Sequence, residues 1–107
     1  MAAPIVIVAT ITAKPGREAD VEKAFSDAAS AVHAEPGCLL YALHKKTGAT
    51  GEFEMIEKWA SQEALDAHMR GDAMRAIGGA LGDALAGVPD IRVLEAVPAG
   101  DAELGAL

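Results

Sequence analysis

The side chains best suited to chemistry lie close together in the second half of the chain. Glu57 and Trp59 are two positions apart, so on a strand they share one face. His68 follows on the apolar side of a predicted helix. Because imidazole titrates near neutrality, His68 is predicted to be a general base. The sequence therefore predicts a small site where a proton moves beside an aromatic surface.

Each of these residues also has a structural interpretation. His68 could be a core histidine bonded to the backbone or to Glu57, and Glu57 needs a partner if it is buried. Tyr41 is predicted to donate a proton to a substrate oxygen or to pair with Glu57, and this pairing could tune proton transfer. The predicted substrate-binding residues are Trp59, Met69, Met74 and Phe53, and the first three could instead be core residues.

The spacing of the histidines and of the single cysteine gives no indication of a metal site. The three histidines are not at ligand spacing, and no further metal-binding pattern accompanies them. His33 is expected at the surface, and His44 on the opposite strand face from Tyr41. Cys38 cannot form an internal disulfide and is expected to be a small buried apolar residue.

Composition excludes several classes of protein. The 107 residues carry a net charge of −7, and Lys45 and Lys46 form the only basic pair, so a nucleic acid or anionic membrane partner is not expected. The N-terminal run MAAPIVIVAT has no basic n-region and is short, which predicts neither a signal peptide nor a transmembrane helix. A cytoplasmic protein is the expectation.

Hydrophobic periodicity predicts the order β-α-β-β-α-β in one domain, residues 1–98, followed by a C-terminal tail, residues 99–107. This order is typical of an α+β, ferredoxin-like fold, with a four-stranded antiparallel sheet and the helices on one face. Ser61 is a predicted N-cap. The predicted strands are 4–13, 38–46, 52–59 and 91–97, and the helices are 17–34 and one from Gln62 that breaks near Gly71.

Two finer predictions concern strand pairing and the glycine-rich segment. With the hairpin loop centred near Gly48, Tyr41 should lie opposite Glu57, and Leu39 opposite Trp59.

After Gly71, several glycines dilute a helical pattern, and each interior glycine costs about 1 kcal/mol relative to alanine. This segment is therefore expected to be irregular or mobile, and to act as a lid.

The strands are apolar on both sides, although the predicted helices cover only one face of the sheet. An uncovered apolar sheet face is larger than a monomer normally exposes. A homodimer with the two sheets packed face to face is the expected solution. Coverage of that face by the C-terminal tail is the alternative.

Several short segments together resemble the antibiotic biosynthesis monooxygenase domain, including its quinol monooxygenase-like members. They are Lys14-Pro15-Gly16, Glu35-Pro36-Gly37-Cys38 with Tyr41, Glu57-x-Trp59, and Ser61-x-Glu63-Ala64-Leu65 with His68. The resemblance implies a dimeric α+β barrel. It also implies oxidation of quinol or polyketide-like phenolic aromatics by O₂ with no metal, haem or flavin cofactor. A deprotonated hydroquinone is electron-rich enough to reduce O₂, so the protein supplies a base and an apolar pocket.

The same family includes haem-degrading members, which use an asparagine on the first strand and a late haem-ligating histidine. The matching positions here are Ala9 and Gly78, so the resemblance does not extend to haem degradation. Two other functions stay open on the same scaffold. One is a non-catalytic small-molecule-binding or stress-associated dimer, and the other is an isomerase or cyclase.

Overall fold

The computed structural model describes residues 3–107. The first two residues of the N-terminal run, for which no signal peptide is predicted, lie outside the described part. The elements in chain order are β1 (Ile5–Thr12), α1 (Glu18–His33), β2 (Cys38–Lys45), β3 (Glu52–Trp59), α2 (Gln62–Met69), α3 (Asp72–Leu81) and β4 (Asp90–Glu95).

The four strands form one antiparallel sheet in the order β2-β3-β1-β4. β1 and β3 are central, and each helical segment connects one strand of the central pair to an edge strand. This topology confirms the predicted α+β ferredoxin-like fold. As a consequence, the start of β2 and the end of β3 lie side by side. The loop that follows α1 and the loop that precedes α2 meet there.

The core lies between the sheet and the helices. Alternate residues of β3 point into it, and Phe53, Met55, Glu57 and Trp59 are all buried. An alternating strand places one set of side chains on one face, and the face that Glu57 and Trp59 were predicted to share is the inner face. Opposite this set, α1 contributes its buried stripe, which consists of Val21, Ala24, Phe25 and Val32.

The predicted pairing of β2 with β3 is confirmed in the middle of the ladder and wrong at its end. Tyr41 lies opposite Glu57, as predicted, but Cys38 and not Leu39 lies opposite Trp59. The register shifts between Cys38 and Leu40, because Leu39 is the additional residue of a β-bulge and its side chain is exposed. Beside the bulge, the Cys38 N–H donates to the Glu35 carbonyl, which joins the start of β2 to the turn after α1.

The predicted helix start and break after β3 are both confirmed. The Ser61 hydroxyl accepts a hydrogen bond from the Ala64 N–H, and Gly71 separates α2 from α3. The prediction of irregular structure after Gly71 is wrong for α3, which is a regular ten-residue helix. It is confirmed for residues 82–89, which form turns, bends and a single β-bridge. Ala73, Ile77 and Leu81 form the buried stripe of α3, and this packing outweighs the low helix propensity of its two exposed interior glycines.

The second face of the sheet is only partly covered. The C-terminal residues fold back at one end of it, where Val6 is buried and the Lys58 ammonium donates to the Leu107 carbonyl. β4 is shorter than predicted, ending at Glu95, and all of its residues are exposed. The tail therefore covers part of this face, and a band across its middle stays uncovered.

Candidate functional site

A buried histidine and a carboxylate meet between α1 and α2. The His68 side chain is only 2% exposed, and its Nδ1 lies 2.6 Å from Oε1 of Glu35. Glu35 belongs to the turn that follows α1. A carboxylate at this distance accepts the Nδ1–H and thereby selects the tautomer whose Nε2 has a free lone pair. The pair therefore holds an oriented imidazole whose Nε2 can accept a proton.

Two aromatic rings pack against the His68 imidazole. The His68 ring stacks on Trp59 with a centroid distance of 4.5 Å and an angle of 28° between the planes. Trp59 is fully buried, and its indole N–H donates to Glu57 at 2.9 Å. The Tyr41 ring approaches His68 edge-on at 5.5 Å. These contacts restrict the ring to one orientation, as a positioned base requires.

The Glu35-Pro36-Gly37 turn places the carboxylate. Gly37 has a positive φ of 82°, and a Cβ at this position would lie 2.5 Å from the Cβ of Ala64. The Gly37 carbonyl accepts a hydrogen bond from the Ala60 N–H at 2.8 Å, and this bond connects the turn to the residues before α2. Only glycine allows this backbone conformation and this approach together. The close contact brings Glu35 within reach of His68.

A cleft of about 660 Å³ opens in front of His68, a volume within the range of small-molecule pockets. It lies between the end of α1, one side of α2 and the first turn of α3. The residues that line it are mostly small, and they are Ala31, Glu35, Pro36, Gly37, Ser61, Glu63, Ala64, Ala67, His68, Gly71, Asp72 and Ala73. The cleft is therefore the space in which a ligand would meet the imidazole.

The structure brings together some of the predicted site residues and separates others. His68 lines the cleft, while Tyr41, Glu57 and Trp59 form the buried layer around its ring and do not line it. Met69 is half exposed and Met74 packs on the core, and neither lines the cleft. Phe53 is at the opposite end of β3 from Trp59, paired with Lys45 and Ile11.

The sequence reasoning missed Glu35 as a site residue. In the sequence, the Glu35-Pro36-Gly37 segment contributes only to the family resemblance, which assigns no role to its acidic side chain. A carboxylate held at a rigid Pro-Gly turn was the available signal. Its partner was not deducible, because His68 is far away in sequence and the contact depends on how the turn packs against α2.

Burial raises the pKa values of two side chains that surround His68, Glu57 and Tyr41. Desolvation raises the pKa of Glu57, and the hydrogen bond from Trp59 and the charge of His68 oppose this only in part. Desolvation, together with the nearby Glu57 and Glu35 carboxylates, also raises the pKa of Tyr41. Tyr41 is therefore a protonated phenol at neutral pH, able to donate a proton but not to act as a base.

The raised pKa of Glu57 predicts a pH-dependent effect on stability. Between the ordinary pKa of a glutamate and this raised value, the folded state binds more protons than the unfolded state, so stability falls as pH rises through that window. Glu57→Gln keeps an acceptor for Trp59 and removes the charge. We expect it to raise the free energy of unfolding at pH 8 and to change it little at pH 4, as measured by urea denaturation.

The matched control for this prediction is Glu103→Gln, which changes an exposed glutamate. It should leave the free energy of unfolding unchanged at both pH values. A Glu57→Gln variant that is less stable than the natural protein at pH 8 would contradict the assigned cost of burying this carboxylate.

Across residues 3–107, no group of three or more His, Cys, Asp or Glu side chains is arranged to hold a metal ion. Within the same range, no helix has the length and apolar character needed to cross a membrane.

Comparisons with known proteins agree with this architecture. The sequence profile of the family described as antibiotic biosynthesis monooxygenase matches residues 4–79. Among solved structures, a candidate antibiotic biosynthesis monooxygenase from Caulobacter crescentus CB15 is 40% identical, with a TM-score of 0.82 over 89% of this chain and 91% of its own. A Pseudomonas aeruginosa protein is 30% identical, with a TM-score of 0.84 over 91% and 97% of the two chains. No curated protein matches the chain. The chain belongs to the antibiotic biosynthesis monooxygenase family.

Proposed function

We propose that this protein is a monooxygenase that oxidises quinol-like or polyketide-like hydroxyaromatics with O₂ and uses no metal, haem or flavin. The observation that carries the proposal is the buried His68, oriented by Glu35 and stacked on Trp59, at the wall of the cleft. Family membership supports the general class of reaction.

The geometry suits proton abstraction from a phenolic hydroxyl. With its Nδ1–H donated to Glu35, His68 takes the substrate proton at Nε2. The resulting phenolate is electron-rich enough to reduce O₂, and a C–O bond forms at a ring carbon. Cleavage of the O–O bond with loss of the hydrogen on that carbon leaves one oxygen on the ring. A hydroquinone and O₂ thus give a hydroxyquinone and water.

The layer behind the imidazole has a supporting role in this proposal. Trp59 fixes the plane of His68 by stacking, and Glu57 fixes Trp59 through the indole N–H. Tyr41 borders the ring by its edge and remains protonated. These residues keep water away from the back of the base and preserve its orientation when it becomes charged.

The test of this function is oxygen consumption with a panel of hydroquinones in chelator-treated buffer, with ¹⁸O₂ to identify the origin of the new ring oxygen. We expect one labelled oxygen in the product. Ligand-dependent thermal stabilisation without O₂ uptake would favour the non-catalytic binding protein. Conversion of substrate under anaerobic conditions would favour the isomerase or cyclase.

We further propose that the working unit is a homodimer with the two uncovered sheet faces packed together. In the middle of that face, the apolar side chains remain partly exposed, and they are Val8, Leu40, Ala42 and Ile56. On β4, Leu94 pairs with Val6 on the same face and is 47% exposed. A contiguous apolar surface of this kind is typical of an interface between subunits.

A charge placed in the middle of this face should separate the subunits. We expect Ile56→Glu to weaken dimerisation at least about 100-fold, because two carboxylates would be buried without partners. Analytical ultracentrifugation measures the effect, and Ala76→Glu on the exposed side of α3 is the matched control. A natural protein that is monomeric at high concentration would contradict the proposed dimer.

A further inference from the structure

We infer that the cleft selects the charge of its ligand: it takes hydroxyaromatics that are uncharged or carry an amine, and it discriminates against those that carry a carboxylate. The inference rests on the proposed function only in taking a hydroxyaromatic as the ligand. It concerns the other end of that ligand, away from His68, at the mouth of the cleft.

The charged side chains that line the cleft are all acidic. They are Glu35, Glu63 and Asp72, and within the described chain no lysine or arginine is part of the lining. The negative charge of Asp72 is paired with the Arg75 guanidinium, which also donates to the Arg70 carbonyl. Arg75 itself does not line the cleft. A carboxylate on the ligand would therefore enter the cleft without a cationic partner.

Two helix N-termini border the cleft, and such ends usually favour anions. In this protein each already carries an anionic side chain in its first turn, Glu63 in α2 and Asp72 in α3. In α2 the Ser61 hydroxyl also accepts the Ala64 N–H. The positive ends of both helices are thus offset by carboxylates of residues that line the cleft.

The position of these charges sets which part of the ligand they affect. Glu35 is held by the buried His68, where the phenolic hydroxyl would bind, whereas Glu63 and Asp72 are exposed at the mouth. The remaining lining is mostly alanine, glycine and proline, which offers an apolar wall to an aromatic ring. A ligand with its hydroxyl at His68 would therefore direct a second substituent toward Glu63 and Asp72.

The test compares three probes that differ in one substituent: hydroquinone, 2,5-dihydroxybenzoate and 2,5-dihydroxybenzylamine. Their affinities for the natural protein are measured by calorimetry without O₂, so that no turnover occurs. We expect the carboxylate to bind at least about tenfold more weakly than hydroquinone, and the amine more tightly than hydroquinone. Both differences should shrink at high salt, because exposed charges are screened.

The variant Glu63→Gln/Asp72→Asn should reduce the ratio of the carboxylate and amine dissociation constants about tenfold. Its matched control is Glu22→Gln/Glu52→Gln, which removes two carboxylates from a depression at the far end of the molecule and should leave the ratio unchanged. Equal affinities of the three probes, or an equal change in the control, would overturn the inference, as would failure of all three to bind. Binding in the expected order without O₂ uptake would overturn only the proposed function.

Discussion

His68→Asn should lower kcat/KM for the preferred hydroquinone by about 10²–10⁴-fold, the usual contribution of a general base. The asparagine amide can still donate to Glu35, because its nitrogen occupies nearly the position of Nδ1, but no group remains at Nε2. Oxygen uptake measures the loss. Circular dichroism and thermal unfolding establish whether the variant is folded.

The control is His44→Asn, which changes an exposed histidine near the end of β2 and should leave turnover unchanged. Glu35→Gln completes the set: it retains an acceptor for Nδ1 without the charge, and we expect a loss of about tenfold, mostly in kcat. If folded His68→Asn retains kcat/KM within about twofold, His68 is a core residue and not the base. If His68→Asn fails to fold, His68→Gln serves as the second variant.

Gly37→Ala should destabilise the protein by about 2–4 kcal/mol. Of this, about 1–2 kcal/mol is the cost of a positive φ for a residue with a Cβ. The rest comes from overlap with the Ala64 methyl, since the new Cβ would lie 2.5 Å from it. Urea denaturation measures the total. The turn would also move away from α2, so the Glu35–His68 contact and turnover should both be lost.

Two companion variants separate these costs. Gly16→Ala has nearly the same positive φ, 85°, with nothing within 4 Å of the new Cβ, so it should show the backbone cost alone. The double variant Gly37→Ala/Ala64→Gly removes the overlap and should be more stable than the sum of the two single changes. Additive effects, or equal losses for Gly37→Ala and Gly16→Ala, would show that the approach of the turn to α2 is not tight.

Much of the fold could be predicted from the sequence, because it depends on local patterns. The alternation of β3 places Glu57 and Trp59 on one inner face, and the Ser61 cap begins α2 as predicted. Helical spacing from that cap then turns His68 toward the core. Period and capping act over a few residues, so the fold class and the proximity of Trp59 to His68 could be derived without coordinates.

Only the tertiary structure decided which residue His68 bonds to and what faces the cleft. The bulge at Leu39 and the contact of Gly37 with Ala64 bring Glu35 to the imidazole, while Glu57 bonds to Trp59. Such contacts join residues from separate elements and depend on shifts of one residue or of a few ångströms. Periodicity carries no information at that scale, because it specifies the face a side chain occupies and not its neighbour across the core.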